Sequence, residues 1–118
     1  TNLGVNLTAS PDIPVETPNV FCGIYAIVTR KCLEHPELAP WNPHEKVTVM
    51  EALRFYTING AYAAFEENIK GSITEGKLAD LVILDRDPCA VDPEELKEVQ
   101  VDATILGGRL VYQREELR

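Results

Sequence analysis

Few side chains in this sequence are of types that do chemistry, and they are widely spaced. The two histidines, His35 and His44, flank a proline-rich stretch and belong to no HxH or HExxH pattern. A catalytic zinc ion normally takes three protein ligands, so the histidines predict no metal site by themselves and are expected at the surface. The Gly-x-Ser-x-Gly elbow, the P-loop and the GxGxxG turn do not occur. Nucleophilic serine, nucleotide and dinucleotide chemistry therefore have no support.

Asp12 is the remaining candidate for chemistry. It follows a strand-like run and stands between Pro11 and Pro14, whose rings fix the backbone of the loop. The residues alone leave two interpretations open. Asp12 is either a catalytic carboxylate or a turn residue whose side chain accepts hydrogen bonds from nearby backbone N–H groups. The second use of aspartate is the more common one in such loops.

The elements of the first half of the chain must position Asp12. Residues 4–9 place apolar side chains at strand spacing. In residues 20–30 the apolar side chains recur at i, i+3, i+4 and i+7, which predicts an amphipathic helix. Residues 48–51 match a capping box, so a second helix is expected to start there. Asn59-Gly60 is expected to interrupt the chain before a third, short, alanine-rich helix.

After Asn68 the pattern changes to that of strands, and a subdomain boundary is expected there. Residues 81–84 carry no polar side chain, which predicts an interior strand covered on both faces. A single capped helical turn should follow, and then two strands over residues 99–105 and 109–112. Between these strands Gly107-Gly108 is free to adopt the positive φ angles of a type I′ hairpin turn.

Charge and cysteine content limit the partners and the compartment. The chain has 19 acidic against 11 basic residues and a formal net charge of −8, which makes nucleic acid and anionic membranes poor partners. Cys22, Cys32 and Cys89 are odd in number and show no CxxC spacing, so neither a disulfide framework nor a structural zinc site is predicted. If residues 20–33 form one helix, Cys22 and Cys32 lie roughly 15 Å apart. These features predict a soluble, cytoplasmic protein.

Four segments, in this order, resemble the amidohydrolase superfamily. The most specific is Gly71–Asp85, in which a Gly-Ser-Ile strand, a Gly-Lys turn and an Ala-Asp-Leu-Val strand follow one another. The others are residues 23–30, the Trp41-Asn42-Pro43 loop with the helix after it, and the closing hairpin at 104–112. Together they are similar to the amidohydrolase family 3 type. This type includes the exoenzyme-regulatory-protein-like and N-substituted formamide deformylase-like metal-dependent hydrolases.

The resemblance implies a split architecture for a C-terminal fragment of a larger α/β hydrolase. Residues 1–66 would be the last strand and outer helices of a (β/α)₈ TIM barrel. Residues 69–113 would be the C-terminal strands of a small β-sandwich, a composite domain whose other strands come from the N-terminus of the parent protein. Residues 114–118 would be a tail.

The resemblance also implies a role for Asp12. In such hydrolases the last barrel strand ends in an aspartate that contacts the metal and takes a proton from the hydrolytic water. In one branch this segment reads Gly-Ser-Asp-small-Pro. Here the corresponding residues are Ser10-Pro11-Asp12-Ile13-Pro14. Ser10 therefore stands where glycine is expected, and Pro11 where serine is expected.

A divalent metal, with zinc the expected one, is implied for the parent, together with a small-molecule substrate that contains a non-peptide C–N bond. One ligand cannot hold a catalytic metal, so the isolated chain is expected to be inactive and metal-free. Its open sheet edges predict self-association. Two alternatives remain: a complete small binding or structural module without enzymatic activity, and a cyclic-amide hydrolase or deaminase branch of the same superfamily.

Overall fold

The computed structural model describes residues 4–115. Within these residues, helices occupy the first half of the chain and strands the second half. In chain order the elements are α1 (Val20–Thr29), α2 (Val49–Tyr56), α3 (Ile58–Ala63), β1 (Leu81–Leu84), β2 (Val101–Leu106) and β3 (Arg109–Gln113), with 3₁₀ helices at Pro43–Glu45 and Pro93–Glu98. None of the helices in the described part of the chain has the length and apolarity needed to cross a bilayer.

Helix α1 forms because its first turn is capped and one of its faces is apolar. The Asn19 side chain accepts a hydrogen bond from the Phe21 N–H at 3.0 Å, which satisfies one of the free N–H groups of the first turn. The amphipathic helix predicted from the sequence is confirmed, and it ends at Thr29, where Arg30 takes a left-handed φ of 61°. The apolar residues at the predicted spacing are buried: Phe21, Ile24, Tyr25 and Val28.

The capping box that predicts the start of α2 is confirmed. The Thr48 hydroxyl accepts a hydrogen bond from the Glu51 N–H at 3.2 Å, and the Glu51 carboxylate accepts one from the Thr48 N–H at 2.8 Å. The predicted interruption at Asn59-Gly60 is wrong, because α3 begins at Ile58 and contains both residues. The break lies at Thr57, whose φ and ψ of −124° and −100° are not helical.

The sheet is antiparallel with strand order β1-β2-β3. Leu81 lies opposite Ile105 in the first pair, and Ile105 lies opposite Leu110 in the second. The predicted hairpin between β2 and β3 is confirmed, since Gly107 and Gly108 have φ angles of 56° and 77°. β2 begins at Val101 rather than at Val99, which instead ends the preceding 3₁₀ segment.

Two strand predictions are corrected by the structure. β1 lies at the edge of the sheet, and Val82 and Ile83 are 59% and 50% exposed, so the prediction of an interior strand is wrong within this chain. The apolar run indicates that other residues must pack on the strand, but it does not show which segment of the protein provides them. Residues 4–9 form no strand either, because no ladder partner lies beside them among residues 4–115. Val5 and Leu7 are consequently exposed.

One hydrophobic core joins the helices to the second half of the chain. The side chains buried in it come from α1, α2 and the 3₁₀ segment before β2: Phe21, Ile24, Tyr25, Val28, Ala52, Leu96 and Val99. Polar contacts at its rim join the same elements. The Tyr25 hydroxyl donates to Glu94 Oε2 at 3.3 Å, and Lys31 Nζ lies 2.7 Å from Glu94 Oε1. The hydrogen bond between Lys31 and Glu94 raises the pKa of Lys31 and lowers the pKa of Glu94.

The Gly71–Asp85 stretch fixes the passage from helices to sheet. Gly71 has a φ of +90°, and a Cβ there would lie 2.8 Å from the Ala61 Cβ and 2.9 Å from the Ile58 Cα. The Lys77 ammonium group donates to the Glu67 carbonyl and, at 2.7 Å, to the Ser72 hydroxyl. Every one of these contacts serves the fold, so the stretch acts structurally.

Asp80 connects the same stretch to the hairpin turn, which lies at the end of the sheet where β1 begins. Its Oδ1 accepts a hydrogen bond from the Gly107 N–H at 2.8 Å, and the neighbouring Ala79 carbonyl accepts one from the Gly108 N–H at 3.0 Å. The residue before β1 thereby fixes the turn between β2 and β3. This contact gives the Ala-Asp pair of the sequence motif a structural role.

Candidate active-site segment

Helices α2 and α3 hold the segment that leads to Asp12. The Leu7 carbonyl accepts a hydrogen bond from the Asn59 side-chain amide at 2.8 Å. Two residues further along, the Ala9 N–H donates to the Phe55 carbonyl at 3.4 Å. These contacts take the place of a strand ladder and fix the approach of the chain to Asp12. Sequence patterns gave no sign of them, because they join residues about fifty positions apart.

The turn at Asp12 is stabilised by its neighbour and not by its own carboxylate. The Ser10 hydroxyl accepts a hydrogen bond from the Asp12 N–H at 3.2 Å, and the Asp12 carbonyl accepts one from the Val15 N–H at 2.8 Å. Asp12 has a left-handed φ of 53°, a conformation that aspartate tolerates better than most residues. Its carboxylate is exposed and accepts no hydrogen bond from the described residues. The side chain is therefore available to a ligand.

Asp12 lies on an open groove of about 530 Å³ between its own loop and α1. That volume lies in the range of small-molecule pockets. The wall is mostly apolar, and its charged members include Glu16 and Lys31. The apolar side chains and thiols that line the groove include Ala9, Pro11, Val15, Cys22, Ala26, Ile27, Cys32 and Leu33.

Tyr56 forms part of the wall of this groove, a role that the sequence did not indicate. Its hydroxyl packs against Gly23 so closely that a Cβ on Gly23 would overlap the oxygen. Partial burial raises the pKa of Tyr56, so its hydroxyl stays neutral at pH 7. Gly23 thus allows α1 and α2 to approach each other closely at the wall of the groove.

The histidines lie away from Asp12. His35 Nδ1 is 3.3 Å from Glu37 Oε1, His44 Nε2 is 3.8 Å from Glu45 Oε1, and neither imidazole lines the groove. Both are exposed, as the sequence predicts. Among residues 4–115 no group of three His, Cys, Asp or Glu side chains could hold a metal ion. The described donor set therefore does not fit a catalytic metal on its own.

The cysteines differ in one respect from the prediction. Helix α1 ends at Thr29, so Cys32 lies in the following loop and not on the same helix as Cys22. The separation predicted for Cys22 and Cys32 along a single helix therefore does not apply. Both side chains line the groove on which Asp12 lies. Cys22, Cys32 and Cys89 are all free thiols.

Comparison with known proteins gives this geometry its context. The model of the family described as "Amidohydrolase family" matches residues 1–112. The chain belongs to the amidohydrolase family. The resemblance read from the four sequence segments is thereby confirmed.

The relatives of this chain include an amidohydrolase, a formamide deformylase and a deaminase. The chain is 40% identical to the N-substituted formamide deformylase of Arthrobacter pascens over 111 aligned residues. The alignment covers 94% of this chain and 20% of the deformylase. It is 32% identical to the YtcJ amidohydrolase of Bacillus subtilis, with 94% and 21% covered. It is 31% identical to a 5-methylthioadenosine/S-adenosylhomocysteine deaminase of Thermoanaerobacter pseudethanolicus, with 98% and 28% covered.

The chain spans about a fifth of the length of the first two relatives. No solved structure matches it. The family is therefore established by sequence, and the geometry of the Asp12 segment comes from this structure alone.

Proposed function

We propose that this chain is the C-terminal part of a metal-dependent amidohydrolase that hydrolyses non-peptide C–N bonds in small molecules. The observation that carries the proposal is the Asp12 carboxylate. It is exposed, it takes no part in stabilising its own turn, and it lies on a groove of about 530 Å³ in a chain of the amidohydrolase family. A carboxylate kept free in this way suits a ligand or a proton acceptor.

In the proposed parent, residues 1–66 are the last strand and outer helices of a TIM barrel, and residues 69–113 are part of a composite β-sandwich. Two exposures support this architecture. Val5 and Leu7 lie at strand spacing without a ladder partner among the described residues, and β1 exposes apolar side chains at a sheet edge. Both features are explained if strands of the parent lie beside these segments.

Asp12 would supply one ligand of a divalent metal, with zinc the expected ion, and would accept a proton from the hydrolytic water. Barrel enzymes place such residues at the C-terminal ends of strands, and Asp12 comes shortly after residues 4–9, which would belong to the last barrel strand of the proposed parent. Ser10 has a separate task in this chain, since its hydroxyl holds the Asp12 N–H. The isolated chain, with a single candidate ligand, is proposed to be inactive.

The test is the Asp12→Asn variant of the full-length protein, assayed for hydrolysis of an N-substituted formamide. Loss of a general base costs roughly 10²- to 10⁴-fold in rate, so a loss of that size is expected. Glu75→Gln is the matched control, because Glu75 is an exposed carboxylate in the 71–76 turn, outside the groove. An Asp12→Asn enzyme as active as the control would refute the role of Asp12. Turnover by the 118-residue chain alone would refute its inactivity.

The substrate class has a specific rival within the family, because one relative is a deaminase. Formamide deformylation, cyclic-amide hydrolysis and deamination all break a C–N bond of a small molecule. A panel containing an N-substituted formamide, a cyclic amide and an aminopurine nucleoside would separate them. We expect the formamide to be the best substrate, since the formamide deformylase is 40% identical to this chain and the deaminase 31%.

The alternative of a complete small module without enzymatic activity is supported by the closed core of α1, α2 and the 3₁₀ segment at Pro93–Glu98. Such a module would be complete without further residues, so none of the substrates in the panel would be hydrolysed. The activity panel on the full-length protein therefore decides between the two.

A further inference from the structure

Residues 31–34 follow α1 and form part of the wall of the groove on which Asp12 lies. All four of them line the groove. This wall segment belongs to neither a helix nor a strand, so no ladder of backbone hydrogen bonds fixes its position. Its position relative to the groove therefore depends on individual side-chain contacts.

Lys31, the first residue of the wall segment, is held at its backbone and at the end of its side chain. Its N–H donates to the Thr29 hydroxyl at 3.2 Å, and this buried hydroxyl donates to the Tyr25 carbonyl at 2.7 Å. At the other end, Lys31 Nζ lies 2.7 Å from Glu94 Oε1. The backbone of Lys31 is thereby fixed to α1 and its ammonium group to the 3₁₀ segment Pro93–Glu98.

Glu94 is in turn fixed by two contacts of its own. The Asp92 side chain accepts a hydrogen bond from the Glu94 N–H at 2.8 Å, and the hydroxyl of the fully buried Tyr25 donates to Glu94 Oε2 at 3.3 Å. One carboxylate oxygen thus serves Tyr25 and the other serves Lys31. An exposed ion pair between two mobile side chains contributes little to stability. Because Glu94 is held by a buried residue, however, its pairing with Lys31 can set a position.

We infer that Glu94 is a positioning residue for the candidate active site, because it fixes, through Lys31, the wall segment against which the substrate packs. Glu94 does not line the groove, so it acts on a substrate only through Lys31. This role rests on the proposed function, since it assumes that the substrate occupies the groove of Asp12. It also gives the second half of the chain, which supplies Glu94, a part in shaping that groove.

Loss of the contact should affect substrate binding more than the chemical step. The turn at Asp12 has contacts of its own, with the Ser10 hydroxyl and the Val15 N–H, and none of them involves Lys31 or Glu94. Asp12 should therefore stay in place when the wall segment shifts. A wall that contacts the substrate equally in the ground state and in the transition state lowers KM without changing kcat.

The experiment is steady-state hydrolysis of the N-substituted formamide by the full-length protein that carries Glu94→Lys. KM should rise roughly tenfold, less than the roughly 100-fold that a 1 Å misplacement can cost, while kcat stays within about twofold of the wild type. Glu95→Lys is the matched control. It makes the same change of charge at the next position of the same 3₁₀ segment, on an exposed side chain that forms no ion pair within residues 4–115, and should leave KM unchanged.

Exchanging the two charges tests whether the pair itself matters. Lys31→Glu alone should raise KM about as much as Glu94→Lys alone, whereas the double variant restores an ion pair and should return KM to within about threefold of the wild type. Two independent structural defects would instead multiply, to roughly 100-fold. Circular dichroism verifies folding. If a reversal variant does not fold, the uncharged variants Lys31→Met and Glu94→Gln replace it, and their double variant should have the KM of either single one.

Three results would overturn this role: a KM of Glu94→Lys equal to that of Glu95→Lys, a fall in kcat with KM unchanged, or effects that multiply in the double variants. Failure of the proposed function looks different. In that case the wild type hydrolyses no substrate of the panel, or Asp12→Asn is as active as the wild type. An active wild type that depends on Asp12 but not on Glu94 would remove the positioning role alone.

Discussion

Replacing Gly71 by alanine should destabilise the fold through two separable effects. Gly71 has a φ of +90°, a backbone conformation that side chains with a Cβ rarely adopt. In addition, the new methyl group would lie 2.8 Å from the Ala61 Cβ and 2.9 Å from the Ile58 Cα. Backbone atoms of α3 cannot move aside without moving the helix. Gly71→Ala therefore requires α3 and the turn to separate.

The size of the loss follows from these two terms. A left-handed conformation costs a residue with a Cβ about 1–2 kcal/mol. Forcing one methyl group into a packed site costs about 1–3 kcal/mol more. The smaller entropy of an unfolded chain that carries alanine returns about 0.4–1 kcal/mol. The expected decrease in the free energy of unfolding is about 1–5 kcal/mol.

Gly76→Ala is the matched control. Gly76 has a φ of +89°, and nothing lies within 4 Å of a Cβ built on it. The backbone term and the unfolded-state term are therefore shared, and the difference between the two variants isolates the contact with α3. Urea unfolding followed by circular dichroism, at concentrations where the chain is monomeric, should place Gly71→Ala about 1–3 kcal/mol below Gly76→Ala. Equal stabilities of the two variants would show that the close approach to α3 has no energetic weight.

Three further predictions concern the same half of the chain. Asp80→Ala should lower the unfolding free energy by about 1 kcal/mol by freeing the Gly107 N–H, whereas Asp80→Asn keeps an acceptor and should lower it less; equal losses would exclude the hydrogen bond as the cause. Lys77→Met keeps the aliphatic stem but removes the ammonium group that bonds the Glu67 carbonyl and the Ser72 hydroxyl. Amide hydrogen exchange in residues 66–77 should become faster, and unchanged exchange would show that the ammonium group does not stabilise this segment. The hydrogen bond from Arg86 lowers the pKa of Asp85 in the folded chain. Ionised Asp85 therefore stabilises the folded state fully above the unfolded-state pKa of about 4, and this stabilisation is lost as the pH falls through the folded-state pKa. Urea midpoints measured between pH 2 and pH 6 (about two units either side of that value) should fall less on acidification for Asp85→Asn than for the wild type, and parallel curves would contradict this.

What the sequence predicted correctly rests on local determinants. The capping box of Thr48 and Glu51 is a contact between residues three positions apart, and the hairpin turn depends on two adjacent glycines. The apolar face of α1 follows from helical periodicity. In each case the residues that decide the structure lie within one window of sequence.

What the sequence did not predict rests on contacts between distant segments. The edge position of β1 depends on which strands surround it, and an apolar run does not encode that. The segment before Asp12 is held by Asn59 and the Phe55 carbonyl, about fifty residues away. Asp12 itself was identified through family resemblance. The structure was needed to show that Ser10 stabilises the turn and that the Asp12 carboxylate therefore takes no part in it.

The shared core has a consequence for the order of events during synthesis. Tyr25 on α1 and Glu94 near Leu96 are 69 positions apart, so α1 is translated long before this part of its core, although α2 follows α1 much sooner. At roughly 5–20 residues per second, the apolar face of α1 waits roughly 4–14 s before Leu96 and Val99 emerge. During that interval it is open to other hydrophobic surfaces, including those of neighbouring nascent chains. The last third of the chain therefore sets the earliest moment at which the apolar face of the first helix is completely covered.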